Sequence, residues 1–212
     1  MVFWFLWILV APFIWLFMPI RIIGKKYLKK VKKDAAIYAC NHQTLNDPII
    51  LKSRCPRLKC VAKSSLFKNK FSNWILRNLG AYPVNRGGND IEFVKTTLRH
   101  LKDNQKVLIF PEGTRVKEGE EVDYKNGVAM FALKTDCNIL PMVFRKKTTC
   151  FRFNTLVVGK PFKFSDYEEF KDVKANKEVL DKATEILLDK MKYLKTVNIK
   201  EYKKLIKKES KQ

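Results

Sequence analysis

A histidine and an aspartate five positions apart are the residues of this chain best suited to acid–base chemistry. They are His42 and Asp47, in the polar segment Asn-His-Gln-Thr-Leu-Asn-Asp. Side chains five residues apart point about 140° away from each other on a regular α-helix, so this pair can meet only across a turn. Pro48 favours a helix that begins here with Asp47 as its cap, which would fold the loop back. Asp47 could then fix the tautomer of His42 and leave the second ring nitrogen free as a base.

A second polar segment, Phe-Pro-Glu-Gly-Thr-Arg, begins at Phe110 after a strand-like apolar run. Its turn presents Glu112 and Arg115 at the end of that strand, and a planar guanidinium suits a phosphate monoester bidentately. Arg86, at the end of another predicted strand, could supply a second cation. Two plainer interpretations stay open at this point. One is a capping aspartate beside a surface histidine, and the other is a structural ion pair between Glu112 and Arg115.

Short apolar runs alternate with helical patterns beyond residue 34, which predicts an α/β fold. We expect a central, mostly parallel or mixed sheet flanked by helices. The predicted strands are 35–40, 58–62, 81–85, 106–110, 139–144 and 151–158. One predicted helix covers 91–101, after a cap at Asn89 or Asp90. Two more predicted helices cover 127–134 and 178–194. Parallel topology would bring the two polar segments to the same edge of the sheet.

In order and approximate spacing, these segments resemble the glycerolipid acyltransferase family, most closely its 1-acyl-sn-glycerol-3-phosphate acyltransferases. The resemblance covers roughly residues 20–144 and includes Gly-Ala-Tyr-Pro-Val-Asn-Arg at 80–86, Tyr-Lys-Asn-Gly at 124–127 and Ile-Leu-Pro-Met at 139–142. It implies acyl transfer from a thioester to the sn-2 hydroxyl of 1-acyl-sn-glycerol 3-phosphate, forming phosphatidate. The alternative acceptors are glycerol 3-phosphate and another lysophospholipid.

The resemblance also implies roles for individual residues. His42 would be the general base and Asp47 its partner. The positions implied to bind substrate are Arg86, Glu112, Gly113, Thr114 and Arg115, together with Lys63 and Lys125. The implied co-substrate is acyl carrier protein or coenzyme A carrying the acyl group, with no further cofactor. Neither the cysteines nor the histidines have the spacing of a metal site.

The charge of the chain indicates polyanionic partners. Lys and Arg number 43 against 21 Asp and Glu, a net charge of +22. Anionic membrane lipids, nucleic acid and phosphate-bearing substrates are all attracted by such a field. A membrane-tethered nucleic-acid-binding module is the rival from another functional class. It is disfavoured because the basic residues are not interleaved with aromatic platforms in a recognised motif. We therefore expect lysophosphatidate, lipid and thioester partners but no nucleic acid.

The first twenty residues are predicted to anchor the chain to a membrane. Residues 2–20 are uncharged and almost wholly apolar, and Pro12 and Pro19 leave open whether they cross the bilayer or bend into one leaflet. Seven basic residues follow within 21–33, which predicts that the rest lies on the cytoplasmic side. Five cysteines without a CxxC pair fit a reducing compartment. The predicted organisation is an anchor (1–20), one acyltransferase domain (21–195) and a basic, loosely ordered tail (196–212).

Overall fold

The computed structural model describes residues 2–85, 90–116, 120, 122–171, 173 and 175–209. In these ranges the chain forms a seven-stranded sheet in the order β1-β7-β6-β2-β5-β3-β4. The strands are β1 (Ile20–Ile23), β2 (Ala36–Cys40), β3 (Lys59–Lys63), β4 (Ala81–Val84), β5 (Lys106–Ile109), β6 (Asn138–Phe144) and β7 (Asn154–Val158). The α-helices are α1 (Val2–Phe17), α2 (Lys25–Lys30), α3 (Asn46–Arg54), α4 (Lys70–Asn78), α5 (Ile91–Lys102), α6 (Gly127–Thr135), α7 (Lys177–Thr196) and α8 (Ile199–Lys208). Single 3₁₀ turns cover Ser64–Phe67, Phe164–Asp166 and Glu168–Phe170.

The sheet is mixed, as the alternating pattern predicted. Strands β2 to β6 run parallel to one another, whereas β7 pairs antiparallel with β6 and parallel with β1. Every residue of the central strand β2 is buried, as expected for a parallel strand covered on both faces. Its Ile37 is flanked by Val107 in β5 and Ile139 in β6, and all three are fully buried. This apolar centre holds the ends of β2 and β5 at fixed positions.

The helices divide between the two faces of the sheet. Helix α3 connects β2 to β3 and α4 connects β3 to β4, and both connections run toward the β4 edge of the sheet. Helix α5 connects β4 to β5 and α6 connects β5 to β6, and both connections run in the opposite direction. Because such crossovers are right-handed, α3 and α4 cover one face, and α5 and α6 cover the other. Helix α1 packs against α3, where Ala11 is buried and Trp15 Nε1 donates to the Ser53 carbonyl oxygen at 3.3 Å.

Helix α1 corresponds to most of the predicted anchor segment. It contains Pro12 and exposes several large apolar side chains, namely Phe5, Ile8, Leu9, Val10, Phe13 and Leu16. In the ranges that the structure describes, no helix combines the length and the apolar character needed to cross a membrane. Anchoring by residues 1–20 therefore stays a prediction.

The C-terminal segment is more ordered than predicted. Instead of a loose tail, residues 199–208 form α8, which begins after an Asn198 cap. Tyr202 is buried, and its hydroxyl donates to the Val158 carbonyl oxygen at 2.9 Å. Lys26 and Tyr27 of α2 contact Glu209 just beyond the helix. The expectation of a loose tail was wrong here because a few apolar residues among many lysines suffice to dock one helical face.

Candidate active site

The two polar segments emerge side by side at the carboxyl edge of the parallel strands. Ala39 in β2 is paired with Ile109 in β5, so the residues that follow both strands enter the same region. The segments are then tied together by their backbones. The amide of His42 donates to Glu112 Oε1 at 3.4 Å, and the amide of Val116 donates to the His42 carbonyl oxygen at 2.9 Å. The topological prediction for this edge is confirmed.

His42 and Asp47 form a buried hydrogen-bonded pair. The distance from His42 Nδ1 to Asp47 Oδ2 is 3.1 Å, and both residues are buried. The imidazole is stacked on the ring of Phe110, with centroids 4.1 Å apart and planes 17° apart. Because ionised Asp47 accepts the Nδ1 proton, the tautomer of the ring leaves Nε2 unprotonated. Within the described residues Nε2 has no hydrogen-bond partner, so it is available to a substrate.

The turn that brings this pair together is built around the carboxylate. Asp47 Oδ2 accepts hydrogen bonds from the backbone amides of Gln43 and Thr44, both at 2.7 Å. The helix begins at Asn46, so Asp47 and Pro48 lie in its first turn. The prediction that Asp47 is the cap and Pro48 the first helical residue was therefore wrong by two residues, because Leu45 is at the cap position. The carboxylate still satisfies free amides of the loop, which is the physical role of a cap.

The second oxygen of Asp47 is held by two hydroxyl groups. Thr44 Oγ1 donates to Oδ1 at 3.1 Å and Thr148 Oγ1 donates at 2.6 Å. Burial raises the pKa of Asp47, but hydrogen bonds from His42, Thr148 and the loop amides outweigh it and hold the pKa below its usual value. Asp47 is thus kept ionised although it is buried. Thr148 was missed by sequence reasoning, because a lone threonine in the segment after β6 carries no local signal.

Glu112 is buried beside this pair and is only partly hydrogen-bonded. Its Oε1 accepts from the His42 amide, whereas Oε2 is buried without a partner among the described residues. Burial raises the pKa of Glu112 to about 7, despite the opposing effect of backbone hydrogen bonds. The structural ion pair between Glu112 and Arg115 is not formed, and Arg115 is exposed. Neither side chain is therefore neutralised by the other.

The segment after β5 turns sharply at Gly113. Its φ of 65° is in the left-handed region, and its amide donates to the Phe110 carbonyl oxygen at 3.0 Å. Thr114 follows on the exposed side of this turn. Lys125 stabilises the turn, because its amide donates to the Pro111 carbonyl oxygen at 2.9 Å and the aliphatic part of its side chain lies beside Gly113. The Lys125 ammonium group pairs with Asp123.

Of the two remaining predicted positions, Lys63 lies toward the far edge of the sheet. Lys63 ends β3, is exposed, and is in register with Val84 of β4. Arg86 lies outside the described residues. The structure therefore brings together His42, Asp47, Glu112, Gly113, Thr114 and Lys125, with Arg115 on the same turn. It leaves Lys63 two strands away from β2.

Two cavities meet at His42 and Glu112. The first, called here the basic cavity, has a volume of about 280 Å³ and is lined by Asn41, His42, Gln43, Glu112, Val116, Val122, Tyr124, Val143, Leu188, Met191, Lys192 and Lys195. The second, called here the apolar cavity, has a volume of about 430 Å³ and is lined by His42, Val61, Val84, Phe93, Ile109, Phe110, Pro111, Glu112, Gly113, Thr114, Lys125, Gly127, Val128 and Phe131. A base at this junction can act on a molecule that occupies either cavity.

Lys192 and Lys195 of α7 are further cations that sequence reasoning missed. The amphipathic pattern of α7 predicted only that it covers the sheet, and its buried residues, including Leu187 and Met191, confirm that role. Its exposed side nevertheless carries two lysines into the wall of the basic cavity. Among the described residues, no cluster of three His, Cys, Asp or Glu side chains is placed to hold a metal ion.

Comparison with known proteins agrees with this arrangement. A sequence model of the family described as Acyltransferase matches residues 19–145. A 1-acyl-sn-glycerol-3-phosphate acyltransferase of Cocos nucifera is 31% identical over 166 residues, which cover 72% of this chain and 53% of that protein. The Bacillus subtilis protein of the same name is 29% identical over 74% of this chain and 80% of its own length.

The chain spans about half the length of the Cocos nucifera relative, and 31% of a chloroplastic relative from Arabidopsis thaliana. The fold is also that of a solved structure. The crystal structure of PlsC, a 1-acyl-sn-glycerophosphate acyltransferase from Thermotoga maritima, has a TM-score of 0.67 and 21% sequence identity to this chain. The match covers 92% of this chain and 82% of that one.

Proposed function

This chain belongs to the acyltransferase family, and we propose that it transfers the acyl group of an acyl thioester to the sn-2 hydroxyl of 1-acyl-sn-glycerol 3-phosphate. The product would be phosphatidate. The observation that carries this proposal is the oriented His42–Asp47 pair, whose free Nε2 lies where two cavities meet. The names of the relatives from Cocos nucifera and Bacillus subtilis support the choice of acceptor.

In the proposed reaction, His42 Nε2 accepts the proton of the sn-2 hydroxyl as its oxygen attacks the thioester carbonyl carbon. A C–O bond forms, the C–S bond breaks, and the thiolate leaves with the electron pair. Because a thiol has a pKa of about 8.5, the thiolate leaves readily and needs no strong acid opposite the base. Asp47 stabilises the imidazolium that forms, and the proton then passes from His42 to the thiolate or to water.

The acceptor would be bound at the apolar cavity. Its acyl chain requires an apolar lining, which Phe93, Ile109 and Phe131 provide. Its phosphate requires cations at the rim, and Lys125 lines this cavity while Arg115 follows on the same turn. We assign Lys63 and Arg86 to the same task, as the family resemblance implies. Glu112 would contact the glycerol portion through its unpaired oxygen.

The donor would enter from the basic cavity. Acyl carrier protein and coenzyme A both present their thioester on an arm that carries phosphate groups, and Lys192 and Lys195 supply positive charge in this wall. We propose that the chain acts at the cytoplasmic surface of a membrane. The support is the apolar exposed surface of α1 together with the basic residues that follow it.

Purified protein tests this function directly. It should release free thiol from an acyl thioester only when 1-acyl-sn-glycerol 3-phosphate is present, and mass spectrometry should find phosphatidate in equal amount. Thioester loss without a lysolipid would instead indicate hydrolysis. A panel with glycerol 3-phosphate and with lysophospholipids that carry a head group distinguishes the alternative acceptors. Faster transfer to any of these would overturn the proposed acceptor while leaving acyl transfer in place.

A further inference from the structure

Helix α4 and the 3₁₀ turn before it, Ser64–Phe67, expose large apolar side chains. Leu66 is 50% exposed, Phe71 is 70% exposed and Trp74 is 48% exposed. Neither of these elements contains a fully buried residue. Phe71 and Trp74 are three positions apart, so they project from the same side of the helix. Several large apolar side chains exposed together in this way are typical of a binding surface.

Exposed cations lie within these two elements and next to them in the sequence. Lys63, Lys68, Lys70 and Arg77 are all exposed. The 42 residues from 48 to 89 contain nine lysines and arginines and no aspartate or glutamate. Phenylalanine, tryptophan and leucine beside lysine and arginine are the composition of helices that lie in the interface of an anionic bilayer. A protein partner would require acidic groups to match the cations and an apolar patch to match the rings, whereas an anionic bilayer supplies both.

The surface belongs to the same face of the molecule as α1. Helices α3 and α4 cover one side of the sheet, and Gly80, two residues after the end of α4, lies close to the Lys52 ammonium group of α3. Helix α3 itself exposes Ile49, with Leu45 just before it, and α1 packs against α3. Apolar side chains are therefore exposed on three helices that cover the same side of the sheet.

We propose that the 3₁₀ turn and α4 form a second lipid-contact surface, through which the catalytic domain docks on an anionic bilayer in addition to α1. The surface begins at Ser64, directly after Lys63 at the carboxyl end of β3, and Val61 of that strand lines the apolar cavity. Docking here would hold the rim of that cavity against the bilayer that contains the acceptor. The inference rests on the proposed function for the identity of that acceptor, but lipid contact itself can be measured separately.

A fluorescent label at position 71 tests the contact. In the 212-residue chain with the exposed Cys150 replaced by serine, Phe71→Cys would be labelled with an environment-sensitive dye and mixed with vesicles containing about 30% anionic lipid. We expect a blue shift and at least a twofold rise in emission. The matched control is Ile91→Cys, since Ile91 is 65% exposed on α5, on the opposite face. Its emission should not change. Equal responses at both positions, or none at position 71 while the protein cosediments with vesicles, would overturn the proposal.

Binding and activity provide a second readout. The double variant Phe71→Ser and Trp74→Ser should bind anionic vesicles about tenfold more weakly than wild type, while Ile91→Ser should bind within about twofold. With a short-chain acceptor below its aggregation concentration, the double variant should keep wild-type turnover, and with vesicle-embedded acceptor it should lose turnover in proportion to binding. Unchanged vesicle binding with a loss of self-association in light scattering would show that a second copy of this chain covers the surface. If the wild-type protein transfers no acyl group to the soluble acceptor, the proposed function is wrong. The emission of the dye at position 71 would still show whether this surface contacts lipid.

Discussion

Thr148 donates its hydroxyl hydrogen to Asp47 Oδ1 at 2.6 Å, although the two residues are 101 positions apart in the chain. The segment that carries Thr148 also contacts the end of α1, because the amide of Phe151 donates to the Phe17 carbonyl oxygen and the two rings pack edge to face. One short connection between β6 and β7 therefore touches both the carboxylate of the candidate site and the N-terminal helix.

Thr148→Val tests whether this hydroxyl positions the carboxylate. Valine has nearly the same shape but cannot donate, so Asp47 Oδ1 would lose its shortest hydrogen bond and the pKa of Asp47 should rise. A lost hydrogen bond to a buried charge costs about 1.5–3 kcal/mol, and we expect the free energy of unfolding to fall by that amount. Turnover should fall about tenfold with little change in the acceptor KM, because His42 would be less well oriented.

The control for this prediction is Thr148→Ser, which keeps the hydroxyl and should recover most of the turnover. The acid side of the pH–rate profile should also move to higher pH in Thr148→Val, because Asp47 would protonate more easily. A purely structural role would lower stability in Thr148→Val but leave the pH–rate profile in place. That result would remove Thr148 from the positioning of the site.

His42→Ala tests the general base. Because His42 lies in a loop at the sheet edge, the fold should persist, and near-ultraviolet circular dichroism can check that it does. Turnover should fall by about 10²- to 10⁴-fold, the usual effect of removing a general base. Asp47→Asn should be severely impaired as well, since an amide cannot stabilise the imidazolium. A folded His42→Ala protein with turnover close to wild type would exclude His42 from the mechanism.

Arg115→Lys and Lys192→Gln together test which substrate enters which cavity. Lysine keeps the charge of Arg115 but lacks the planar fork, so the acceptor KM should rise while the donor KM changes little. Lys192→Gln removes a cation from the basic cavity, so the donor KM should rise instead. Steady-state kinetics with each substrate varied in turn measures both effects. The opposite pattern in the two variants would reverse the assignment of the cavities.

Much of the fold could be predicted because burial follows from apolar sequence runs. All six predicted strands are present. The central strands β2 and β6 are nearly continuous apolar runs because they are buried on both faces. Strand β1 was missed because its four residues merge with the apolar N-terminal segment and pair only with the distant β7. Helix α4 was also missed, although the Asn69 side chain caps it; unlike those of a helix that faces the core, its aromatic residues Phe71 and Trp74 are exposed.

The candidate site was predictable only where its residues are close in sequence. The meeting of His42 and Asp47 followed from a turn before Pro48, and the approach of Glu112 followed from parallel topology. Thr148 and Lys192 join the site through tertiary packing of segments that have no chemical motif of their own. Their contribution depends on loop conformation and on the rotation of α7, which local patterns do not determine.

Glu112→Gln tests the buried carboxyl group through the pH dependence of stability. The pKa of Glu112 is about 7 in the folded chain, against an ordinary value near 4.5 in the unfolded chain. Between these values the folded state retains a proton that the unfolded state has released, so this group lowers stability as the pH rises from about 4.5 to 7. Because glutamine has no titratable proton, the stability of the variant should not show this decrease with pH.

The free energy of unfolding of Glu112→Gln, relative to wild type, should therefore increase by about 3 kcal/mol between pH 4.5 and pH 8, since one pKa unit corresponds to about 1.36 kcal/mol. Urea unfolding of both proteins at several pH values measures this difference, and titrations common to both proteins cancel. The matched control is Glu185→Gln, at an exposed position on α7, where the difference from wild type should stay constant with pH. If the difference in free energy of unfolding between Glu112→Gln and wild type also stayed constant with pH, the pKa of Glu112 would be the same in the folded and unfolded chains. Its unpaired oxygen would then be solvated in the folded protein.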